Sequence, residues 1–490
     1  MSKRSGSEGN GLQVGALSGF DSAVMAIAGC GPGYMIAAAV PVLIATVGVA
    51  GPAVLLYCVL PVIGIALAFR QLGRIDVSAG AGYTWVARGL HPFLGFMCGW
   101  ALIVSTIAFW VFTTWPAGEA TIVLLGGETP VDPAAAMAVG AGWFLLVAVV
   151  VTLGVRLSAR AQTVITVLQL TLLLTFAVLA LSKDGGAADF SFSWFGFGHF
   201  DSSHTLVAGA LVAVFTYSGW DVTSNLSEET RRGRRSGFGG LIGLLVAFTL
   251  YLVFTIAANI LIGADAVTAD PADFLSVLGE AVLPGWGGRM LVLAVVLSSI
   301  ATLETTLIQA TRTLFAMGRD RTLPAVLGRT HPTWKTPWWA TMAVSGVAFL
   351  LIGGFLVADS PEQFLTDAFN GVGLQVALNY GLVGLAAVVV HRKVLLRSPA
   401  NLLLMGLWPL GGALFMAWVF VASLPGLSAG SLVMGLGTLA LGLVPMFVSW
   451  SRGNAYYRPQ PLDPDRAEAV DESSGASGAA GRRDEILSDF

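Results

Sequence analysis

Between Ser22 and Phe69 the chain carries no charged residue. That run is more than twice the ~20 apolar residues one helix needs to cross a bilayer. Similar stretches recur to the C-terminal end and place twelve predicted spans, at 18–47, 51–70, 92–120, 135–154, 161–182, 205–229, 238–262, 288–317, 338–358, 364–390, 400–423 and 427–450. Two of these spans are interrupted by glycine. The first holds Gly29-Cys30-Gly31-Pro32-Gly33 and the sixth Tyr217-Ser218-Gly219-Trp220-Asp221. A helix in hydrocarbon must satisfy its own backbone, so such a break is tolerated only where protein or a water-filled cavity covers it.

Gly31 and Gly219 stand 188 residues apart; the third and eighth spans start 196 apart and the fifth and tenth 203 apart. A near-constant offset over five spans predicts two five-helix repeats with two further helices after them. Because five is odd, the second repeat enters from the opposite side, which makes the repeat inverted and puts a binding site between the paired breaks near the midplane. The predicted fold class is an all-α polytopic membrane protein with twelve transmembrane helices, a 5+5 inverted repeat and two C-terminal helices.

Composition agrees with this pattern. Hydrophobic residues make up 55% of the 490 residues and charged residues 11%, with a mean hydropathy of +0.78; soluble domains carry about 25% charge. No polar linker divides the chain, so residues 18–450 read as one bundle, with a cytoplasmic N-terminal tail at 1–17 lacking a cleavable signal. Residues 451–490, rich in Ser, Gly, Ala and charge, read as a mostly disordered cytoplasmic tail. With the N-terminus inside, 24 of the 26 Lys and Arg fall in cytoplasmic segments or helix ends, Lys183 and Arg289 being the exceptions. That bias sets both termini in the cytoplasm, and the expected location is the plasma membrane. The 263–287 loop carries Asp265, Asp270, Asp273 and Glu280 and no basic residue before Arg289.

Enzymatic classes find no support. The five histidines sit at helix ends or in loops without metal-ligand spacing, the three cysteines lie in apolar runs, and no phosphate-binding glycine-lysine loop is present. No cofactor, metal or nucleic-acid partner is expected. The expected partners are a small amino acid or amine, H+ or Na+, and membrane lipids, and the expected state is a monomer or homodimer.

Each helix break offers free carbonyls on one half and free amides on the other. A zwitterion fits between them, with its carboxylate toward the amides of Gly31, Gly33 and Tyr34 and its ammonium toward carbonyls at Ala26–Gly29 and Phe215–Ser218. Pro32 sits where a missing donor costs least. Asp221, at membrane depth, either binds a cationic group, takes a proton, or caps the following half-helix. Glu304 lies about 24 Å into the eighth span at 1.5 Å per residue. It is a candidate for proton coupling or for holding an amine, the plainer reading being a buried pair with Gln169, Asn379 or Arg312.

Five motifs in order carry a resemblance to the amino acid–polyamine–organocation superfamily. They are Gly29 to Gly33; Gln71-Leu72-Gly73-Arg74 through Ser78 to Trp85; Phe93-Leu94-Gly95-Phe96 with Gly99-Trp100; Tyr217 to Asp221 with Glu228-Glu229; and Arg312 to Met317 with Asp320 and Leu323-Pro324. The resemblance spans roughly 18–450. It implies a permease working by alternating access, through symport or exchange, with a substrate site at Gly29, Cys30, Gly31, Gly33, Tyr34, Tyr217, Ser218, Gly219, Trp220 and Asp221, and with Trp110 as a closing ring. Sodium-using relatives set helix 8 hydroxyls against helix 1 carbonyls, which points here to Ser298, Ser299 and Thr302. Several proton-coupled relatives carry a lysine where this chain has Gln169, so that fixed charge is missing. A polyamine or organic amine carrier, or a nutrient sensor or channel without coupled transport, is the alternative.

Overall fold

The computed structural model describes residues 11–127, 130–183, 186–200, 202–269, 274–356 and 360–465. Among these residues every named element is helical. The first long apolar run forms α1 (Gly19–Cys30) and α2 (Pro32–Val47), then α3 (Gly51–Ile75). A short helix α4 (Gly82–Gly89) leads into α5 (Pro92–Leu124), followed by α6 (Pro133–Leu153) and α7 (Val155–Leu181). The second half opens with α8 (Ser203–Thr216) and the four-residue α9 (Val222–Asn225), then α10 (Ser236–Leu261). Two short helices, α11 (Ala264–Ala269) and α12 (Phe274–Val282), precede α13 (Gly287–Arg319), α14 (Trp338–Leu356) and α15 (Pro361–His391). The last helical stretches are Pro399–Gly426 and Ala429–Ser451.

Among the described residues, ten helical stretches are long and apolar enough to cross a membrane. One of them, Gly19–Ile75, is 57 residues, about 85 Å if straight, so it folds back at the Gly48–Ala50 turn. The chain is thus a multi-pass membrane protein. Hydropathy underestimates some helices: α3 runs on to Ile75 and α7 begins at Val155, so Arg70, Arg74, Arg156 and Arg160 stand on helix beyond the apolar stretch. The segment expected as a plain loop at 263–287 instead contains α11 and α12. A Cβ at Gly279 would press on the Gly287 backbone, so α12 lies directly on the start of α13. Asp270 and Asp273 fall outside the described residues.

α5 is the central helix, packed closely against α6, α13 and α15, and α1 lies against α10. Glycine makes these approaches possible: a Cβ at Gly243 would meet the Ala26 backbone, and one at Gly140 the Thr114 carbonyl. The three cysteines are buried and unbridged.

The described part of the C-terminal tail, 451–465, packs back onto the bundle. Asn454 Nδ2 donates to the Asp320 carbonyl at 2.9 Å, and the Tyr456 ring stacks on Tyr83 at 4.7 Å. Burial holds the Asp320 carboxyl above its usual range, against the pull of Arg319. Residues 466–490, the rest of the predicted tail, lie outside the described residues, as do residues 1–10 of the N-terminal one.

Candidate functional site

The two breaks differ in form. The first is a single residue: Gly31, at φ +56°, is both the C-cap of α1 and the N-cap of α2. Its amide donates to the Ala28 carbonyl at 3.0 Å, so the prediction of a free Gly31 donor does not hold. No side chain caps α2, which leaves the Gly33 and Tyr34 amides of its first turn without an intrahelical partner. The second break is wider. α8 ends at Thr216, and Tyr217 to Asp221 pass through Gly219 at φ +95° before α9 begins. Sequence placed helix through residue 229. The chain instead leaves helix after Asn225, because Asn225, Glu228 and Glu229 each reach out to other elements.

The breaks touch. A Cβ on Gly29 would overlap the Gly219 carbonyl oxygen, and one on Gly219 would overlap that of Gly29. Beside this crossing lies a cavity of about 50 Å³. Gly29, Ser218, Gly219 and Asp221 line it, together with residues that sequence reasoning did not find: Ser105, Thr106 and Phe109 on α5, Thr306 and Gln309 on α13, and Asn379 and Tyr380 on α15.

Asp221 is the one acidic side chain among the described residues that line this cavity. It is 3% exposed, and its two carboxylate oxygens accept from Tyr380 OH at 2.8 Å and Gln309 Nε2 at 2.7 Å. It stands at the N-cap position of α9 yet makes no side-chain cap bond there, so the capping role considered for it is not the one it fills.

The other predicted residues frame the cavity without lining it. Cys30 offers its carbonyl to Tyr251 OH at 2.6 Å. Gly31 packs on the Thr302 side chain, and Gly33 on Ala294 and Ser298. Tyr34 is edge-on to Phe109 and Phe112. Tyr217 OH donates to the Leu55 carbonyl. Trp220 packs against Phe69 and Tyr380 and so supports the tyrosine that holds Asp221. Trp110 stands behind the wall, its Nε1 donating to Thr306 Oγ1 at 2.9 Å.

On α13, Thr302 Oγ1 lies 3.1 Å from the Ala28 carbonyl and 2.8 Å from that of Ser298. Ser298, Ser299 and both amide atoms of Gln169 are buried without hydrogen-bond partners, as is Glu304 Oε1. None of the three partners suggested for Glu304 pairs with it. Arg312 is bound to Glu229, Asn379 donates to the Cys98 carbonyl, and the Gln169 amide makes no hydrogen bond.

Two closures bracket the cavity. Toward one face opens a vestibule of about 1210 Å³, lined in part by Phe112, Phe369, Trp115, Glu119 and His204. Between it and the cavity stand Phe109, Phe112, Phe215 and Phe369, with ring centroids 4.2–6.0 Å apart. Toward the arginine-bearing face the closure is ionic. Glu229 accepts two bonds from Arg312, at 2.9 and 3.1 Å, with both side chains fully buried. Glu228 binds Arg319 and the Ala79 amide. The backbone of Glu229 also accepts from Leu17, just before α1, at 3.0 Å. Three motifs read separately in the sequence therefore close on one another.

The amino acid permease family profile matches residues 17–444. The chain is 26% identical over 421 residues to the low-affinity putrescine importer PlaP of Escherichia coli (strain K12), covering 80% of this chain and 84% of that protein. It is 26% identical over 447 residues to the methylthioribose transporter of Bacillus subtilis (strain 168), covering 86% and 92%. To the branched-chain amino acid permease BcaP of the same organism it is 26% identical over 344 residues, covering 67% and 70%. With its paired helix breaks around a buried cavity, this chain belongs to the amino acid permease family, within the amino acid–polyamine–organocation superfamily, and is a transporter of amino acids or related amines, not an enzyme.

Proposed function

We propose that this permease carries an amine whose positive group is received by Asp221, and that it works by alternating access. The carrying observation is the Asp221 carboxylate, buried in the cavity wall between the two helix breaks and held there by Tyr380 and Gln309. Its two hydrogen bonds are neutral and no basic side chain among the described residues lines the cavity, so a cationic group of the substrate is the counter-charge this buried carboxyl lacks. A diamine such as the putrescine of one relative, or an amino acid with a basic side chain, supplies that cation. Gly29, Ser218 and Gly219 present backbone to the substrate, and the free amides of Gly33 and Tyr34 favour a carboxylate where the substrate has one. Cys30, Gly31, Tyr217, Trp220 and Trp110 hold these groups in position. The phenylalanine closure and the Glu229–Arg312 closure open in turn.

In this reading residues 18–450 cross the plasma membrane twelve times as a 5+5 inverted repeat plus two helices. α1 with α2 and α8 with α9 are the corresponding broken members, and both termini are cytoplasmic, at 1–17 and 451–490. Glu304 carries a coupled proton, with Gln169, Ser298, Ser299 and Thr302 around it.

The test is Asp221→Asn, assayed by counterflow in proteoliposomes preloaded with putrescine, lysine or leucine. The amide removes the charge and keeps the size. Uptake of the two cationic substrates should fall at least about tenfold, the equivalent of ~1.4 kcal/mol of lost binding, while any leucine exchange persists. Wild-type cation uptake in the variant would remove Asp221 from the substrate site. Absence of counterflow in the wild type with all three would favour a sensor.

A further inference from the structure

We infer that α7 and α13 enclose a hydrated, proton-conducting seam, separate from the substrate cavity, with Glu304 as its titrating member. The inference rests on the coupling role given to Glu304 above and names its route. Along α7 the polar residues Ser158, Gln162, Thr166 and Gln169 recur at intervals of four, four and three, which sets them on one helix face. All four are buried. The other polar residues of α7, Arg156, Arg160, Thr163, Thr171 and Thr175, lie on its more exposed faces, so a buried polar stripe more than two turns long calls for its own explanation.

Two observations fix what the stripe faces. Gln162 Nε2 donates to the Ala301 carbonyl at 3.0 Å, and Ser158 faces the Glu304 carboxyl without a close hydrogen bond between them. Four residues up α7 correspond to three residues back on α13, so the helices run antiparallel there. The same register brings Thr166 level with the turn carrying Ser298 and Ser299, where Gly33 of the first break packs on Ser298.

Ser158 Oγ, Gln162 Oε1, Thr166 Oγ1, Gln169 Oε1 and Nε2, Ser298 Oγ, Ser299 Oγ and Glu304 Oε1 are all buried without a protein partner. Eight such atoms left unsatisfied would cost an amount comparable to the whole stability of a fold. Buried polar groups in this position are normally bridged by internal water. The spacing of hydroxyls and amides along α7 matches such a chain of waters.

The seam and the cavity lie on different faces of α13. Thr306 lines the cavity, and Glu304, two residues before it, points about 200° away. Glu304 does not line the substrate cavity, which favours the coupling role over the counter-charge role considered for it.

No fixed charge competes for its proton. On the elements packed against α13 the titratable groups are Asp21 and Cys30 on α1, Tyr34 on α2, and His91, Cys98 and Glu119 at α5. To these add Arg156 and Arg160 on α7, Asp221 before α9 and Glu280 on α12; α6 and α14 carry none. Arg156 and Arg160 are exposed, and Arg312 on α13 itself is taken by Glu229. A proton arriving along the waters is accepted by Glu304 Oε1, which leaves a neutral carboxyl and a water. The reverse step returns the proton to water.

The experiment uses the full chain in proteoliposomes with a trapped pH dye and the three substrates named above. Thr166→Val, nearly isosteric, should slow proton-coupled accumulation about tenfold, as one lost link in the chain, and leave counterflow unchanged. Glu304→Gln should abolish pH-driven accumulation and keep counterflow. An infrared pH titration of the purified protein without substrate should show a protonated-carboxyl band that disappears in Glu304→Gln. Full pH-driven accumulation in Glu304→Gln, unchanged proton flux in Thr166→Val, or an infrared titration identical in wild type and Glu304→Gln would each overturn the seam. Should the wild type show no counterflow, the substrate reading fails while the infrared titration still decides this one.

Discussion

Gly219→Ala should abolish substrate uptake, by roughly a hundredfold or more, while the protein still reaches the membrane. The methyl group would overlap the Gly29 carbonyl oxygen, and φ is +95° at this residue. Both neighbours in the clash are backbone, so no side-chain rotation relieves it. The crossing of the two breaks must separate, and with it goes the cavity wall formed by Gly29, Ser218 and Gly219. A shift worth ~2.7 kcal/mol in the transport barrier already gives a hundredfold. Gly31→Leu should act in the same direction, because the side chain meets Thr302 at a residue with φ +56°. Gly48 supplies the control: its φ is +57°, but a Cβ there has nothing within 4 Å. Gly48→Ala, at φ +57° and ψ −137°, should cost only local backbone strain, about 1–3 kcal/mol, and leave uptake nearly intact. Uptake per unit of membrane-inserted protein is the measurement. Equal activity in Gly219→Ala and Gly48→Ala would show that the crossing is not part of the site.

The second large effect concerns the fully buried Glu229–Arg312 pair. Removing either partner strands an uncompensated charge, which typically costs about 3–5 kcal/mol. Glu229→Leu and Arg312→Met should each lower the thermal unfolding midpoint of the purified protein sharply. The double variant should recover most of that loss, since two apolar side chains pack where two charges did. It should nevertheless transport poorly, because an apolar contact has less reason to part in favour of water. Single variants as stable as the wild type would mean that the arginine-bearing face is held by its other contacts.

Much of the architecture was legible because a bilayer allows few solutions. The glycine breaks could be read from the clusters Gly29–Gly33 and Tyr217–Asp221, each set inside a span otherwise apolar enough to cross. The lengths of α5, α13 and α15 followed from their apolar extents. Partners were not legible. The Glu228-Glu229 and Arg312 motifs could be seen, but nothing in one span announces which residue 83 positions later will meet it. For the same reason nothing in the sequence announced that Tyr251, on α10, would reach the Cys30 carbonyl.

The cavity wall from α5 and α15 escaped notice because Ser105, Thr106 and Tyr380 look like ordinary helix residues in composition. The adjacent polar pair Asn379-Tyr380, midway along an apolar run, was the available signal. Trp110 shows the opposite error: a large ring on the right helix faces one layer behind the site and buttresses Thr306.

The chemical contrast between the two closures has a further consequence. Ionic strength acts on charges that water can reach, so it can weaken the part-exposed Glu228–Arg319 pair but not its fully buried neighbour. Strongly hydrated anions such as sulfate act instead on apolar contact, which they reinforce, and therefore on the four phenylalanines. The resting orientation of the purified permease should accordingly respond to which anion is in the buffer far more than to how much salt it contains.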